Sequence, residues 1–231
     1  MAEVDRVTIT EIGITVDALM ENASHQIARA ARALVGGVQG KRIVGLVGRG
    51  NNGGDAAGAL RHLASWGADV RAEVAAFPGD VREMTERQLI SLLLIGPSVV
   101  RYADAETPRG PLPKADLLID GLLGYSARGA PRGLVADLIG GANTSGTPIL
   151  AVDIPSGLDP DTGATLGPTI RAAATVTLAI PKTGLLALAA HGLAGDLLLA
   201  DIGIPHVVFQ RIGLDTRRLF VDNDLVRLSI D

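Results

Sequence analysis

The segment I-V-G-L-V-G-R-G-N-N-G-G-D, residues 43–55, decides the fold of this chain. Residues 43–47 are almost entirely apolar, which predicts a short buried strand. The glycines that follow predict a tight turn, and residues 56–66 predict a helix. A strand that enters a helix through a glycine-rich turn is typical of α/β proteins with mostly parallel sheets.

Strands and helices continue to alternate on both sides of this segment. Further helices are predicted over residues 16–34, over residues 80–94 with Asp80 as the cap, and over residues 131–142. Further strands are predicted over residues 68–76, 116–120, 149–153, 175–180 and 197–200. The order implies a parallel sheet with right-handed crossovers, and such sheets bind ligands beyond the carboxyl ends of their strands.

The composition excludes several classes of protein. A chain of 231 residues without a linker or repeat fits one domain, so we expect a single domain over residues 1–231. The formal net charge of -4 provides no basic field, and neither nucleic acid nor a membrane is an expected partner. The absence of cysteine excludes disulfides, thiolate metal sites and a cysteine nucleophile. No targeting signal or membrane-spanning run is present, so we expect a cytoplasmic protein.

The glycines at Gly48, Gly50 and Gly53 form the pattern G-x-G-x-x-G in the strand-to-helix position of a dinucleotide-binding turn. An NAD-dependent dehydrogenase places an acid at the end of the second strand to hold the ribose. Here Asp69 lies at the start of that strand, which disfavours an NAD-dependent oxidoreductase. A P-loop is excluded because the Gly-Lys-Ser/Thr ending is missing.

Two carboxamides and a carboxylate, on Asn51, Asn52 and Asp55, accompany these glycines. They lie beside main-chain N–H groups at a helix N-terminus, a position suited to a polar ligand. The alternative is that Asp55 caps the helix and the glycines only permit the turn.

A second polar cluster begins at Asp120, which ends a predicted strand and precedes a glycine-rich loop at residues 121–133. A carboxylate at the end of a buried strand is costly unless a cation or hydrogen bonds satisfy it. The candidates are a bound cation, helix N-termini, and the side chains of Arg128 or Arg132. The two arginines could instead contact phosphates.

The third cluster is V-D-I-P-S-G-L-D, in which Asp153 ends a strand and Pro155 positions the turn that carries Ser156. A nucleophile elbow is excluded because Ile154 stands where that motif needs glycine. Ser156 is otherwise an ordinary turn serine. Lys182 follows a fourth strand, and it either reaches the same crevice or is a solvated surface lysine.

Oxygen donors from three loops, on Asn52, Asp120 and Ser156, suit a hard cation better than a transition metal. One carboxylate among neutral oxygens favours a monovalent ion.

Five motifs together resemble those of the NAD(P)H-hydrate (NAD(P)HX) epimerase family, also called the YjeF N-terminal domain, over about residues 3–206. They are L-M-E-N-A at 19–23, G-x-G-N-N-G-G-D at 48–55, V-D-I-P-S-G-L-D at 152–159, P-K-x-G at 181–184 and A-D-I-G-I-P at 200–205. The resemblance implies a Rossmann-like, three-layer α/β/α fold with a mostly parallel central sheet. It also implies interconversion of the R and S hydrates of NADH and NADPH, which feeds a separate S-specific dehydratase.

The resemblance also assigns residues to the site. Substrate contacts are implied for Asn51, Asn52, Gly53, Gly54 and Asp55, for Gly124, Tyr125, Ser126, Ala127, Arg128, Gly129 and Ala130, and for Asp153. One potassium ion per subunit would be held by Asn52, Asp120 and Ser156. Inverting a carbon that bears a hydroxyl needs a proton donor and acceptor, for which Asp153 is the first candidate and Lys182 the second. We expect a homodimer.

Some positions depart from the family pattern. Ala56 replaces a common glycine, Leu123 lies where a bulky aromatic residue is usual, and the loop G-Y-S-A-R-G at 124–129 replaces a more frequent G-T-G-L form. Residues 206–231 are too few for the dehydratase domain that some relatives carry, so we expect that activity to be absent. A non-catalytic nucleotide-binding or interaction module stays an alternative, although a scaffold gains nothing from acids at two strand ends.

Overall fold

The computed structural model describes residues 1–96, 98–103, 110–187 and 190–229. Its strands are β1 (Arg42–Val47), β2 (Asp69–Val74), β3 (Val100–Arg101), β4 (Leu117–Gly121), β5 (Ile149–Val152), β6 (Ala174–Leu178), β7 (Asp196–Ala200) and β8 (Leu225–Leu228). Within the described residues they form one eight-stranded sheet in the order β3-β2-β1-β4-β5-β6-β7-β8. The neighbours from β3 to β7 pair in parallel, and β8 pairs antiparallel with β7.

The helices lie before β1 and between later strands. They are α1 (Ala2–Val7), which continues into a π-helical turn at Thr8–Ile12, α2 (Val16–Leu34), α3 (Asn51–Ser65), α4 (Glu83–Ile95), α5 (Gly133–Thr144), α6 (Thr183–Leu186), α7 (His191–Ala194) and α8 (His206–Gln210). Across the described ranges, no helix is both long and apolar enough to cross a membrane.

The sheet lies between two helical layers, and the side chains of β1 alternate between its two faces. Ile43 and Val47 pack in the larger core, which α2, α3 and α4 share. Val44 and Leu46 pack in a second core, to which α5 contributes Leu138 and Ile139. The predicted three-layer α/β/α fold with a mostly parallel sheet is confirmed.

Two predicted helix starts are wrong. The helix after β1 begins at Asn51 rather than at residue 56, and Gly50 is its N-cap. The next helix begins at Glu83, where Arg82 is the N-cap, so Asp80 does not cap it. In the first case the two asparagines and two glycines form the opening turn of α3 instead of a loop before it. The asparagine side chains therefore lie directly at the end of the sheet.

Two glycines of the turn are required by close packing. A Cβ on Gly48 would lie 1.9 Å from the main-chain oxygen of Leu122, and one on Gly53 would lie 2.2 Å from the oxygen of Gly48. A Cβ on Gly50 would meet nothing within 4 Å. The turn after β1 therefore contacts the segment after β4 without intervening side chains, and this contact holds two polar loops together.

A Gly48→Ala variant is expected to lose stability, because its methyl group would overlap a main-chain oxygen. Overpacking of a core typically costs about 1–3 kcal/mol, and a clash with the backbone lies at the upper end. Gly50→Ala is the matched control and should stay within about 1 kcal/mol of the wild type, the usual effect of a weaker N-cap. Urea unfolding compares the two, and equal destabilisation would contradict the packing role of Gly48.

Candidate active site

A cavity of about 520 Å³ opens at the carboxyl ends of the parallel strands. Ligand sites in proteins commonly enclose about 300–1,000 Å³. Residues that follow β1, β2, β4, β5 and β6 line the cavity, and so do residues of the N-terminal segment and α2. The cavity therefore lies where a parallel α/β sheet places its ligand.

An ion pair between Asp153 and Lys182 forms part of the cavity wall. The Lys182 Nζ contacts Asp153 Oδ1 and donates to the main-chain oxygen of Leu178 at 2.9 Å. The main-chain N–H of Leu178 in turn donates to the same Asp153 oxygen at 3.2 Å. Asp153 and Lys182 are only 4% and 6% exposed, which excludes the interpretation of Lys182 as a solvated surface lysine.

The backbone at Asp153 has an uncommon conformation. Its φ is +67°, and Ala179, just after β6, has a φ of +66°. Aspartate and asparagine tolerate this left-handed region better than most other residues do, because their short polar side chains can bond locally. Backbone held in such a region is frequent at functional sites. In this conformation the Asp153 carboxylate contacts Lys182, which follows β6.

Asp55 is a second acid at the cavity wall. It is the fifth residue of α3 and is buried, so the interpretation of Asp55 as a helix cap is wrong. Burial raises the pKa of the Asp55 carboxyl well above its usual range; the Asp153 carboxylate raises this pKa further, and Lys182 lowers it. Burial thus favours the protonated form of Asp55, which lies beside the Asp153–Lys182 ion pair at the cavity wall.

Asp120 is completely buried at the end of β4. Its carboxylate accepts hydrogen bonds from the Ser156 N–H at 2.8 Å, the Ser156 hydroxyl at 2.7 Å and the Leu122 N–H at 3.2 Å. Burial raises the pKa of Asp120 to about 6, although these hydrogen bonds oppose the rise. Ser156 and main-chain groups therefore satisfy Asp120, in place of the Arg128 or Arg132 partners considered from the sequence.

Asn52 connects the same group of loops. Its side-chain amide donates to the main-chain oxygens of Leu123 at 3.0 Å and Val152 at 3.2 Å. The Leu123 N–H donates to the Ser156 hydroxyl at 2.9 Å. The structure thus brings Asn52, Asp120 and Ser156 into one network, in which Asn52 lines the cavity and Asp120 and Ser156 lie outside its lining.

Tyr125 joins the loop after β4 to the N-terminal helix. Its hydroxyl donates to Asp5 Oδ2 at 2.6 Å, and its ring centre lies 6.0 Å from the Lys182 Nζ. Burial raises the pKa of Tyr125, and the Asp5 carboxylate raises it further. Asp5 and Ile9 line the cavity but belong to no motif, so sequence reasoning missed this side of the site.

The remaining predicted contact residues divide into two groups. Those that line the cavity with Asp153, Lys182 and Tyr125 are Asn51, Asn52, Asp55, Gly124, Ser126 and Ala127. Gly53, Gly54, Arg128, Gly129 and Ala130 lie outside its lining. Gly53 and Gly54 are buried inside α3, and the exposed Arg128 guanidinium donates to main-chain oxygens of its own loop.

The fold and the cavity define the class of the protein: a doubly wound α/β protein with a ligand site beyond the carboxyl ends of parallel strands. The family model described as YjeF-related protein N-terminus matches residues 16–184, which hold the turn after β1, the Asp153 turn and Lys182. The chain belongs to this family.

Named relatives cover most of the chain. The NAD(P)H-hydrate epimerase of Dehalogenimonas lykanthroporepellens is 41% identical over 231 residues, which is 99% of this chain and 90% of that protein. The bifunctional NAD(P)H-hydrate repair enzyme Nnr of Moorella thermoacetica is 39% identical over 214 residues, which is 89% of this chain and 39% of that protein. The crystal structure of yeast ynu0, YNL200c, matches with a TM-score of 0.80 and 25% identity, covering 98% of this chain and 96% of that one.

Proposed function

We propose that this protein is an NAD(P)H-hydrate epimerase, which interconverts the R and S epimers of hydrated NADH and NADPH. The observation that carries the proposal is the buried Asp153–Lys182 pair in the wall of a nucleotide-sized cavity. Burying two charges costs several kcal/mol per ion before their attraction is counted. A non-catalytic binding module gains little from such a pair, whereas an acid–base catalyst can use the two groups as proton acceptor and donor. The relative that covers the chain almost end to end carries this activity in its name.

The chemistry requires a bond at the inverted carbon to break and re-form. If the C–O bond opens, the hydroxyl takes up a proton and leaves as water while the ring nitrogen forms a C=N bond; water then adds to the other face and gives the proton back. If the ring C–N bond opens, the nitrogen takes up a proton while the hydroxyl loses its own and becomes a carbonyl; both transfers reverse when the ring closes on the other face. In our proposal Lys182 and Asp153 exchange protons with the substrate, and the Asp55 carboxyl, whose pKa is raised by burial, hydrogen-bonds to the substrate. Groups of this kind typically contribute about 10²- to 10⁴-fold to a rate.

The test follows R-NADPHX and R-NADHX in an assay coupled to an S-specific dehydratase. Purified protein should make the R form disappear faster than it does in buffer. Asp153→Asn protein, prepared in the same way, controls for a contaminating epimerase. Loss of the R form at the buffer rate would refute the proposal. Reproducible oxidation of NADPH with simple carbonyl acceptors would favour an oxidoreductase instead.

We also propose that Asn52, Asp120 and Ser156 hold one potassium ion per subunit. The donor set fits such an ion, since it consists of one carboxylate, one hydroxyl and one amide, all of them oxygen donors. The described residues contain no group of three or more His, Cys, Asp or Glu side chains that could hold a metal, which disfavours a transition-metal site. Potassium there would fix the loops after β1, β4 and β5 in place and offset the charge of the buried Asp120.

Replacing potassium by lithium is expected to lower the melting temperature and the affinity for NADP, because the smaller ion fits a potassium-sized cage poorly. Thermal unfolding and calorimetry at equal ionic strength measure the two effects. Sodium and tetramethylammonium salts control for general salt effects. Identical melting and binding in all four salts would contradict a functional cation.

Three further expectations extend the proposal. The S epimer would pass to a separate NAD(P)HX dehydratase, and the name of the longer Moorella relative, a bifunctional NAD(P)H-hydrate repair enzyme, is consistent with a second repair activity beside this one. A homodimer stays a prediction that sedimentation equilibrium would test. A cytoplasmic location stays a prediction that cell fractionation would test.

A further inference from the structure

The cavity is also lined by two arginines that are not among the predicted site residues. Arg49 follows β1, and Arg82 lies between β2 and α4. The Arg82 N–H donates to the Arg49 main-chain oxygen at 2.8 Å, and Arg49 Nε donates to the Asp80 main-chain oxygen at 2.8 Å. These bonds tie two loops together and fix the Arg49 side chain, while both residues remain exposed at the cavity.

Neither guanidinium has a carboxylate partner within the ranges that the structure describes. Most other described arginines pair with an acid. The paired ones are Arg6, Arg29, Arg42, Arg61, Arg71, Arg87, Arg101, Arg211, Arg217 and Arg227. The cavity therefore presents two unneutralised cations on one side, even though Asp5, Asp55 and Asp153 also line it.

The strand order separates these cations from the proposed catalytic pair. Arg49 and Arg82 follow β1 and β2, whereas Asp153 and Lys182 follow β5 and β6. With neighbouring strands about 4.8 Å apart, β1 and β5 are roughly 10 Å apart, and β2 and β6 are roughly 19 Å apart. A ligand that reaches from the acid–base pair to the arginines must be extended, and it must carry negative charge at the arginine side.

We propose that Arg49 and Arg82 bind phosphate oxygens of the dinucleotide substrate. The inference rests on the proposed function, which places the hydrated nicotinamide ring at Asp153 and Lys182. Guanidinium groups are suited to this task because they bind phosphate through two parallel N–H bonds. These two residues take the role that the sequence suggested for Arg128 and Arg132, neither of which lines the cavity.

The test compares Arg49→Gln, Arg82→Gln and the double variant with the wild type by calorimetry with NADP and with NAD. Each single change should weaken NADP binding roughly 10-fold, the usual value of a charge-assisted hydrogen bond. The salt dependence of binding should also decrease. In the epimerase assay KM should rise while kcat stays near the wild-type value. Arg171→Gln, an exposed arginine without an ion pair in the described residues and away from the cavity, is the matched control.

The two nucleotides distinguish the phosphate that is bound. Equal losses for NAD and NADP indicate the shared pyrophosphate, and a loss confined to NADP indicates the 2′-phosphate; both results support the proposal. Wild-type affinity of the double variant for both nucleotides overturns it, as does a wild-type protein that binds neither. A further outcome is that the wild-type protein fails to epimerise NADPHX while the arginine variants still bind NADP more weakly than it does. That result would support the phosphate site and refute only the proposed function.

Discussion

An Asp153→Asn variant is expected to lose about 10²- to 10⁴-fold in kcat, because the amide cannot accept and return a proton. Asparagine keeps the shape of the side chain and tolerates the positive φ of this position. Substrate binding should therefore change less than turnover, a pattern that marks an interaction made in the transition state. NADP affinity and single-turnover rates measure the two effects, and wild-type turnover of Asp153→Asn would refute the assignment.

The same change should also lower stability, because it leaves the buried Lys182 ammonium without its anion. Breaking a buried ion pair from one side typically costs about 3–5 kcal/mol, and Lys182→Met should show a similar loss. The double variant Asp153→Asn, Lys182→Met removes both charges and should be more stable than the sum of the single losses predicts. Additive losses in urea unfolding would contradict a coupled pair.

An Asp120→Asn variant is expected to lose about 3 kcal/mol of stability, and its melting temperature should no longer respond to potassium. The carboxylate accepts bonds from two Ser156 groups and the Leu122 N–H, so an amide would place an N–H against at least one donor. Each buried group left unsatisfied costs about 1–3 kcal/mol. Asp137→Asn, on the exposed face of α5, is the control and should change stability by less than about 0.5 kcal/mol.

The Asp120 and Asp153 variants distinguish two roles, cation binding and proton transfer, for two acids that both follow buried strands in the sequence. Asp120→Asn should retain a measurable kcat in the fraction that stays folded, whereas Asp153→Asn should not recover its rate under any stabilising condition. A potassium response that persists in Asp120→Asn would remove this residue from the proposed cation site.

Helices and strands were predictable from the sequence where the apolar residues follow one clear pattern. The predicted helix over residues 16–34 coincides with α2, whose N-cap Thr15 accepts from the Ala18 N–H. Strands ending at Asp120 and Asp153 were placed to within one residue, because apolar runs stop at a charge. From those ends, the meeting of Asn52, Asp120 and Ser156 follows from the topology of a parallel sheet.

Features that depend on tertiary packing were not predictable. The opening turn of α3 contains four residues with poor helix propensity, and it packs against the segment after β4. The contact of Asp5 with Tyr125 joins residues 120 positions apart, and no local pattern marks it. Arg49 and Arg82 look like ordinary surface arginines until the cavity between their loops is seen.

The antiparallel strand β8 has a consequence for solubility. A parallel sheet that ended at β7 would expose the unpaired main chain of a hydrophobic strand, on which another chain could add by edge-to-edge pairing. Strand β8 covers that edge, and Arg227 on it pairs with Asp196. At the opposite edge β3 has only two residues, too few to template a partner strand. The hydrophobic strand β7 is thereby kept from pairing with another chain, and the two strands at the borders of the sheet are short, with four residues in β8 and two in β3.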